Sequence, residues 1–292
     1  KIASIIDGVS INLDKNIAEN IGSGDTIRFT GQVDAGAVYV YDTTNDGATY
    51  GSQVKLVSAT GAAGDDFGSV VSLSGDVLAI SNPDDTEFTG GTAANSGSVE
   101  IWQRFLTQAP STFTWRLQKK LVEASGGLNF GHDISLDGDT IAIACPGHVN
   151  ADRSNGAVQL YKGTGSAWTL SQVIPTPLEL NEVGLNDWAT HIVLRGNHLL
   201  VSWSHSDNDR GSVSVFHKNP TTGLFETTPE AILKPVDLSV DDLFGAVIDI
   251  DNSSNPVKPI CAVSATGSRS VYLFERETHN GVAEWIQIEK LN

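Results

Sequence analysis

A chain of 292 residues with 35 Asp and Glu against 18 Lys and Arg has a formal net charge of −17, which argues against nucleic acid or an anionic membrane surface as a partner. Hydrophobic residues make up 40% of it, enough for a sizeable core, yet no apolar run approaches the roughly 20 residues of a membrane-spanning helix, so membrane insertion is not expected. No charged-then-apolar leader opens the chain, and the lack of any Met reads as a processed or excised part of a longer product.

The first thirty-odd residues are the least regular. Val9-Ser10-Ile11 is a candidate first strand and Asp25 to Phe29 a candidate second, with Asn12 to Ser23 extra between them. Gly36-Ala37-Val38-Tyr39-Val40-Tyr41 then alternates as a strand, Asn45-Asp46-Gly47 is a strong turn signal, and Ser52 to Val57 alternates again. From Asp65 the pattern sharpens. A Phe67-Gly68 step precedes an alternating run (Val70, Val71, Leu73), a Gly75-Asp76 turn, a second run (Val77 to Ile80), a polar loop, and Gly97-Ser98-Val99-Glu100-Ile101-Trp102. Trp115 to Leu121 supplies a fourth strand.

These parts recur. The aromatic step returns as Phe130-Gly131, Trp188-Ala189 and Phe244-Gly245, at spacings of 63, 58 and 56 residues. The glycine before the third strand returns as Gly36, Gly97, Gly156 and Gly211, with Ser268 taken to stand in its place before Arg269-Ser270-Val271. Fourth strands are expected at Ser52 to Val57, Trp115 to Leu121, Trp168 to Ile174, Thr228 to Leu233 and Trp285 to Leu291. A period a little above fifty, all in short strands, predicts an all-β toroid of repeated four-stranded sheets. The expected fold is a β-propeller of five four-stranded blades, at about 1–58, 59–122, 123–178, 179–236 and 237–292, the first degenerate; six or seven blades would require a partner segment. A closed ring would set the sheet of Trp285 to Leu291 beside that of Gly36 to Tyr41. Gly75, Gly138 and Gly196 fall in two-residue turns that demand positive φ. Cys145 and Cys261 sit in second strands of non-adjacent copies, so free buried thiols are expected rather than a disulfide.

FGSVVSLSGDVLAI followed by GSVEIW and WRLQKKL resembles the FG-GAP repeat of integrin-α-like β-propellers and of many secreted bacterial proteins. The resemblance implies that first strands line an axis, that fourth strands are outermost, and that the loops from second to third strand share one face with those entering each new copy. It also implies an extracellular, cell-surface or virion setting and a recognition or adhesion role toward a glycan or protein ligand.

Acidic residues crowd that loop face: Asp65, Asp66, Asp84, Asp85, Glu87, Asp187, Asp207, Asp209, Asp237, Asp241 and Asp242. Candidate ligand contacts are Asp84, Asp85, His148, Asp152, Arg153, His205, Asp207, Asp209 and Arg210, since a His and an Asp-Arg pair recur in two successive second-to-third loops. The alternative is a carbohydrate-active enzyme using Asp66, Asp187 and Asp242, which precede the axial strands. Calcium is a candidate at the long fifth-copy turn, through Asp249, Asp251, Ser253 and Asn255, although the turn has no glycine or closing carboxylate. His132, His148, His191 and His205 show no metal-ligand spacing.

Overall fold

The computed structural model describes residues 5–6, 9–10, 35–44, 49–88, 91–92, 96–107, 112–123, 129–149, 155–177, 180, 188–252 and 258–292. Two compact units divide the chain, Lys1–Gln32 and Val33–Asn292. In the first, β1 (Ile5–Ile6) pairs antiparallel with β2 (Val9–Ser10). The strand expected at Asp25 to Phe29 and the Asn45-Asp46-Gly47 turn lie outside the described residues.

The second unit, as described, is built of antiparallel strands, opening with the hairpin β3 (Val38–Thr44) and β4 (Thr49–Leu56). The next sheet starts with β5 (Val71–Ser74) and β6 (Val77–Asn82). Its following loop carries a small ribbon, β7 (Glu87–Phe88) with β8 (Gly91–Thr92), and β9 (Ser98–Thr107) and β10 (Thr112–Val122) complete the sheet. A third copy runs β11 (Ile134–Asp137), β12 (Thr140–Val149), β13 (Asn155–Lys162), β14 (Thr169–Pro175). The fourth is β15 (Ile192–Arg195), β16 (His198–Trp203), β17 (Ser212–His217), β18 (Ala231–Leu233), and the fifth β19 (Phe244–Asp251), β20 (Ile260–Ala265), β21 (Ser270–His279), β22 (Val282–Leu291). Each of copies two to five is thus one four-stranded sheet with strands in sequence order. Gly75, Gly138 and Gly196 turn the first hairpins with φ of 58, 60 and 56°.

The hydrophobic pattern is buried copy against copy. Val38 and Leu56 pack with Phe67, Leu78 and Ile80. Val99, Ile101 and Leu121 pack with Ile134, Leu136 and Tyr161, and Val158 and Leu160 with Ile192, Leu194 and Phe216. Val213, Val215 and Leu233 in turn pack with Ile248, Ile250 and Phe274. The outer tryptophans expected to join blades do so, Trp115, Trp168 and Trp285 each lying against the core shared with the preceding copy. First strands β5, β11, β15 and β19 are successive neighbours. Sheets stacked face to face with adjacent first strands are arranged as propeller blades.

The recurring glycine has a steric cause. The step aromatic of the next copy donates its N–H to the carbonyl just before the glycine, as Phe67 to Ala35 (3.3 Å), Phe130 to Ser96 (3.1 Å) and Phe244 to Arg210 (2.9 Å). A Cβ on Gly36, Gly97, Gly156 or Gly211 would stand 2.1, 2.0, 2.6 or 2.1 Å from the carbonyl oxygen of Phe67, Phe130, Trp188 or Phe244. In the fifth copy the register Ala265↔Ser270 matches Trp203↔Ser212, which places Arg269, and not Ser268, at the glycine position. Arg269 keeps the left-handed conformation at φ 56°.

First strands are edge strands, whose unpaired N–H groups need acceptors. Side chains of the preceding first strand supply them. Ser72 Oγ accepts from Leu136 N (2.9 Å) and Ser74 Oγ from Gly138 N (3.0 Å). Asp133 Oδ2 accepts from Ile192 N (2.8 Å), Ser135 Oγ from Leu194 N (2.9 Å) and Asp137 Oδ2 from Gly196 N (2.5 Å). The fourth copy offers His191, Val193 and Arg195 at these positions. There β19 satisfies Ile250 N with its own Asp249 Oδ1 (2.8 Å), and Asn252 donates to the Arg195 carbonyl (3.0 Å).

Candidate functional site

The loops between second and third strands meet the loops entering the next copy at one end of the sheets. Leu243 N donates to Asp209 O (2.8 Å) beside the Phe244 to Arg210 bond, and within the second copy Gly97 N donates to Asp85 O (2.7 Å). Candidate residues from several copies are therefore displayed on a common end.

Two of its carboxylates hold their own loops. Asp65 Oδ2 accepts from Ala62 N (2.5 Å) and Asp242 Oδ2 from Ser239 N (2.7 Å), equivalent positions doing the same task. Asp85 is buried, accepts from Ser98 Oγ (2.6 Å) and pairs with Lys120 Nζ at 2.7 Å. Asp84 behaves differently: partial burial, then the charge of Asp66 and a hydrogen bond with it, hold its carboxyl above the ordinary range. Carboxyls that share a hydrogen bond are closer than the roughly 5 Å separation of a retaining glycosidase pair. Asp187 lies outside the described residues.

His148 is the penultimate residue of β12 and its Nδ1 lies 2.5 Å from Glu123 Oε1, which also accepts from Gln159 Nε2 (2.9 Å); Tyr161 donates to Gln159 Oε1 (3.1 Å). Glu123 is buried and was not singled out by its sequence context. It stands just after the fourth strand of the preceding copy, where Ser58, which donates to Glu100 Oε1 (2.5 Å), and Asp237, which accepts from Tyr272 (3.2 Å), make the same kind of contact to the next sheet. Repetition of polar residues after the fourth strand is the signal that could have found it. Cys145 and Cys261 are free and buried, and burial pushes the Cys261 thiol up to about 12, so both are protonated and inert at neutral pH.

The fourth-copy loop is described throughout. In the turn Ser206–Asp209, Asp207 (φ 52, ψ 55°) and Asn208 (φ 55, ψ 52°) are left-handed, and Asp209 follows at φ 61°. Ser206 pins this turn through Oγ to Trp203 O (3.0 Å) and through its carbonyl to Gly211 N (3.0 Å). His205 Nδ1 lies 2.8 Å from Asp209 Oδ1, while Asp207 faces Lys234 at 2.8 Å and Arg210 at 3.4 Å. Lys234 first, then Arg210, hold the Asp207 carboxyl below its ordinary value. Asp152 and Arg153, the matching third-copy pair, lie outside the described residues.

At the fifth-copy turn, Asp249 is committed to Ile250 N and Asp251 is also engaged, while Ser253 and Asn255 lie outside the described residues. Among the described residues no group of three or more His, Cys, Asp or Glu is placed to hold a metal ion, and no helix is long and apolar enough to cross a membrane.

Residues 50–101 match the family model of the FG-GAP repeat, a span from β4 to the middle of β9. No curated protein matches the chain. Among solved structures, that of Hsv2 from Kluyvelomyces marxianus aligns over 83% of this chain and 68% of its own at 15% identity, with a TM-score of 0.45.

Proposed function

Starting from a chain whose residues 50–101 match the FG-GAP repeat, we propose a five-bladed propeller that serves as a non-catalytic recognition or adhesion module of a secreted, cell-surface or virion protein. It takes a glycan or protein ligand on its loop face. The observation that carries this reading is the Ser206–Asp209 turn. Three successive non-glycine residues in left-handed conformation cost on the order of 1 kcal/mol each, and such strain concentrates where side chains must be aimed. Here it displays two carboxylates, an imidazole and the Arg210 guanidinium in one loop, with Lys234, which follows β18, paired to Asp207 beside them. Mixed donors and acceptors on a rigid support suit hydroxyl-rich or zwitterionic surfaces.

The test is a glycan-array and cell-surface binding screen, run in calcium and in chelator, with wild type and with Asp209→Ala/Arg210→Ala. Binding that drops by about tenfold or more in the double variant is the expected result. Hydrolysis of a glycoside by wild type, lost in Asp66→Asn or Asp187→Asn, would replace this reading with the enzyme one.

A calcium ion at the fifth-copy turn would be structural, holding Asp249 and Asp251 across Ile250. Melts answer this separately: bound calcium raises the midpoint with concentration and chelator reverses it. A midpoint indifferent to calcium up to about millimolar levels leaves the turn a plain hairpin.

A further inference from the structure

The fifth sheet presents to solvent the face that every preceding copy buries. The cross-strand pairs Val99–Leu121, Val158–Ile174 and Val213–Leu233 lie under the next copy, and the fifth sheet repeats them as Val271–Leu291 with Leu291 47% exposed and Val247 on the same face 63% exposed. The complementary half is also open. The buried third-strand pairs Gln159/Tyr161, Ser214/Phe216 and Tyr272/Phe274, which face the preceding copy, have Tyr39/Tyr41 as their first-copy equivalents, 48% and 50% exposed. Lys55, across from Tyr39 in the register and 5.7 Å above its ring, adds a cation opposite a face that carries Glu275 and Glu289.

We propose that the Tyr39–Tyr41 face of β3–β4 seats on this fifth-sheet face, and that this junction is the seam at which the propeller opens while the other four hold. The inference rests on the five-bladed reading above. At the other junctions a glycine lets the next copy's aromatic carbonyl approach within van der Waals contact, and the hydrogen bonds into Ala35, Ser96 and Arg210 lock it. The seam has neither half of that lock. Arg269 carries a Cβ where the others carry none, and residues 1–35 contain no Phe-Gly or Trp-Ala step. Apolar faces and one charge complement are left to hold the seam, so it has the lowest opening free energy of the five.

Native-state hydrogen exchange on the whole chain reads the opening directly. Amides of β3–β4 are expected to exchange about tenfold or more faster than those of β9–β10, β13–β14 and β21–β22. Tyr41→Cys/Leu273→Cys, joined by a short bis-maleimide, should cross-link within one molecule and abolish that difference; Tyr39→Cys/Val271→Cys serves if the first pair fails to fold. Cys145 and Cys261, being buried, stay silent. A cross-link within one molecule together with slow exchange in unmodified β3–β4 overturns the seam but leaves five blades standing. Absence of any cross-link, or links only between molecules, removes the five-bladed reading and the seam with it.

Discussion

Gly97→Ala should cost roughly 3 kcal/mol or more, measured by chemical denaturation, because its new methyl would sit 2.0 Å from the Phe130 carbonyl oxygen at a φ of 78°. Two penalties combine: left-handed strain of about 1 kcal/mol, and overpacking against backbone, which cannot rotate away as a side chain can. Gly211→Ala faces the Phe244 carbonyl at 2.1 Å and should behave alike. Arg269→Gly is the control. It relieves the same left-handed backbone strain, so its stability should stay within about 1 kcal/mol of wild type, on the stabilising side. Alanine variants as stable as wild type would mean that the close approach does not hold the sheets together.

Acid should loosen the junction between the fourth and fifth sheets through His198. The ring is 3% exposed, neither nitrogen has a hydrogen-bond partner among the described residues, and it lies against His217 and Trp285 at centroid distances of 5.0 and 5.9 Å. Burial first, then His217 and Arg276, lower its pKa from 6.5 to about 4, against a smaller opposing pull from Glu230. Arg276 itself is committed to Glu230 in a bidentate pair at 2.7 and 2.8 Å, with Trp285 Nε1 on the same carboxylate at 3.0 Å. With the folded value below the unfolded one, the unfolded chain binds the extra proton between these two pH values. Stability is therefore intact above pH 6.5, falls as pH drops, and the loss from this group is complete near pH 4. The full loss is on the order of 3 kcal/mol. His198→Phe keeps the aromatic contacts, removes the titration, and should at least hold its stability at pH 7, since two buried nitrogens without partners cost free energy. Stability curves from pH 7 to pH 4 that run parallel for wild type and variant would sink this account.

Much of the architecture was legible because it repeats. The Phe-Gly step, the hairpin glycines and the third-strand glycine are backbone requirements, so they survive where side chains drift, and copies two to five could be counted from them. Arg269 was misplaced by one residue because the loop before it is short and an alignment of loops has no register; the ladder Ala265↔Ser270 supplies one. Ser72, Ser135 and Asp137 read in sequence only as the polar half of an alternating strand. Their use as acceptors becomes visible when the next sheet is in place. The loop face was legible as a set of acids but not in its division of labour: Asp65 and Asp242 secure loops, Asp85 is buried with Lys120, and the His205 to Arg210 turn combines strain with mixed charge. Glu123 escaped notice because its partner His148 is 25 residues away, in a different copy.

The borrowed acceptors along the first strands limit how this chain could have grown. A copy that receives its hydrogen bonds from its predecessor is not a free-standing module, since its donors are matched to whatever stands before it. The third copy expects Ser72 and Ser74, and the fourth expects Asp133, Ser135 and Asp137. The fifth follows Val193 and Arg195, whose side chains offer no acceptor at these positions, and carries its own Asp249. A duplicate of the fourth copy inserted after itself would leave the N–H of Leu194 in the newcomer facing Val193 and that of Gly196 facing Arg195, neither with a side-chain acceptor. The buried Leu194 N–H alone would cost about 1–3 kcal/mol as an orphan, so such a duplication would be selected against. A duplicate of the third copy placed before the fourth would find Asp133, Ser135 and Asp137 waiting on one side and present them again on the other. Gain of blades is thus permitted at some joints and barred at others, and the permitted ones can be read from which first strands carry Ser and Asp.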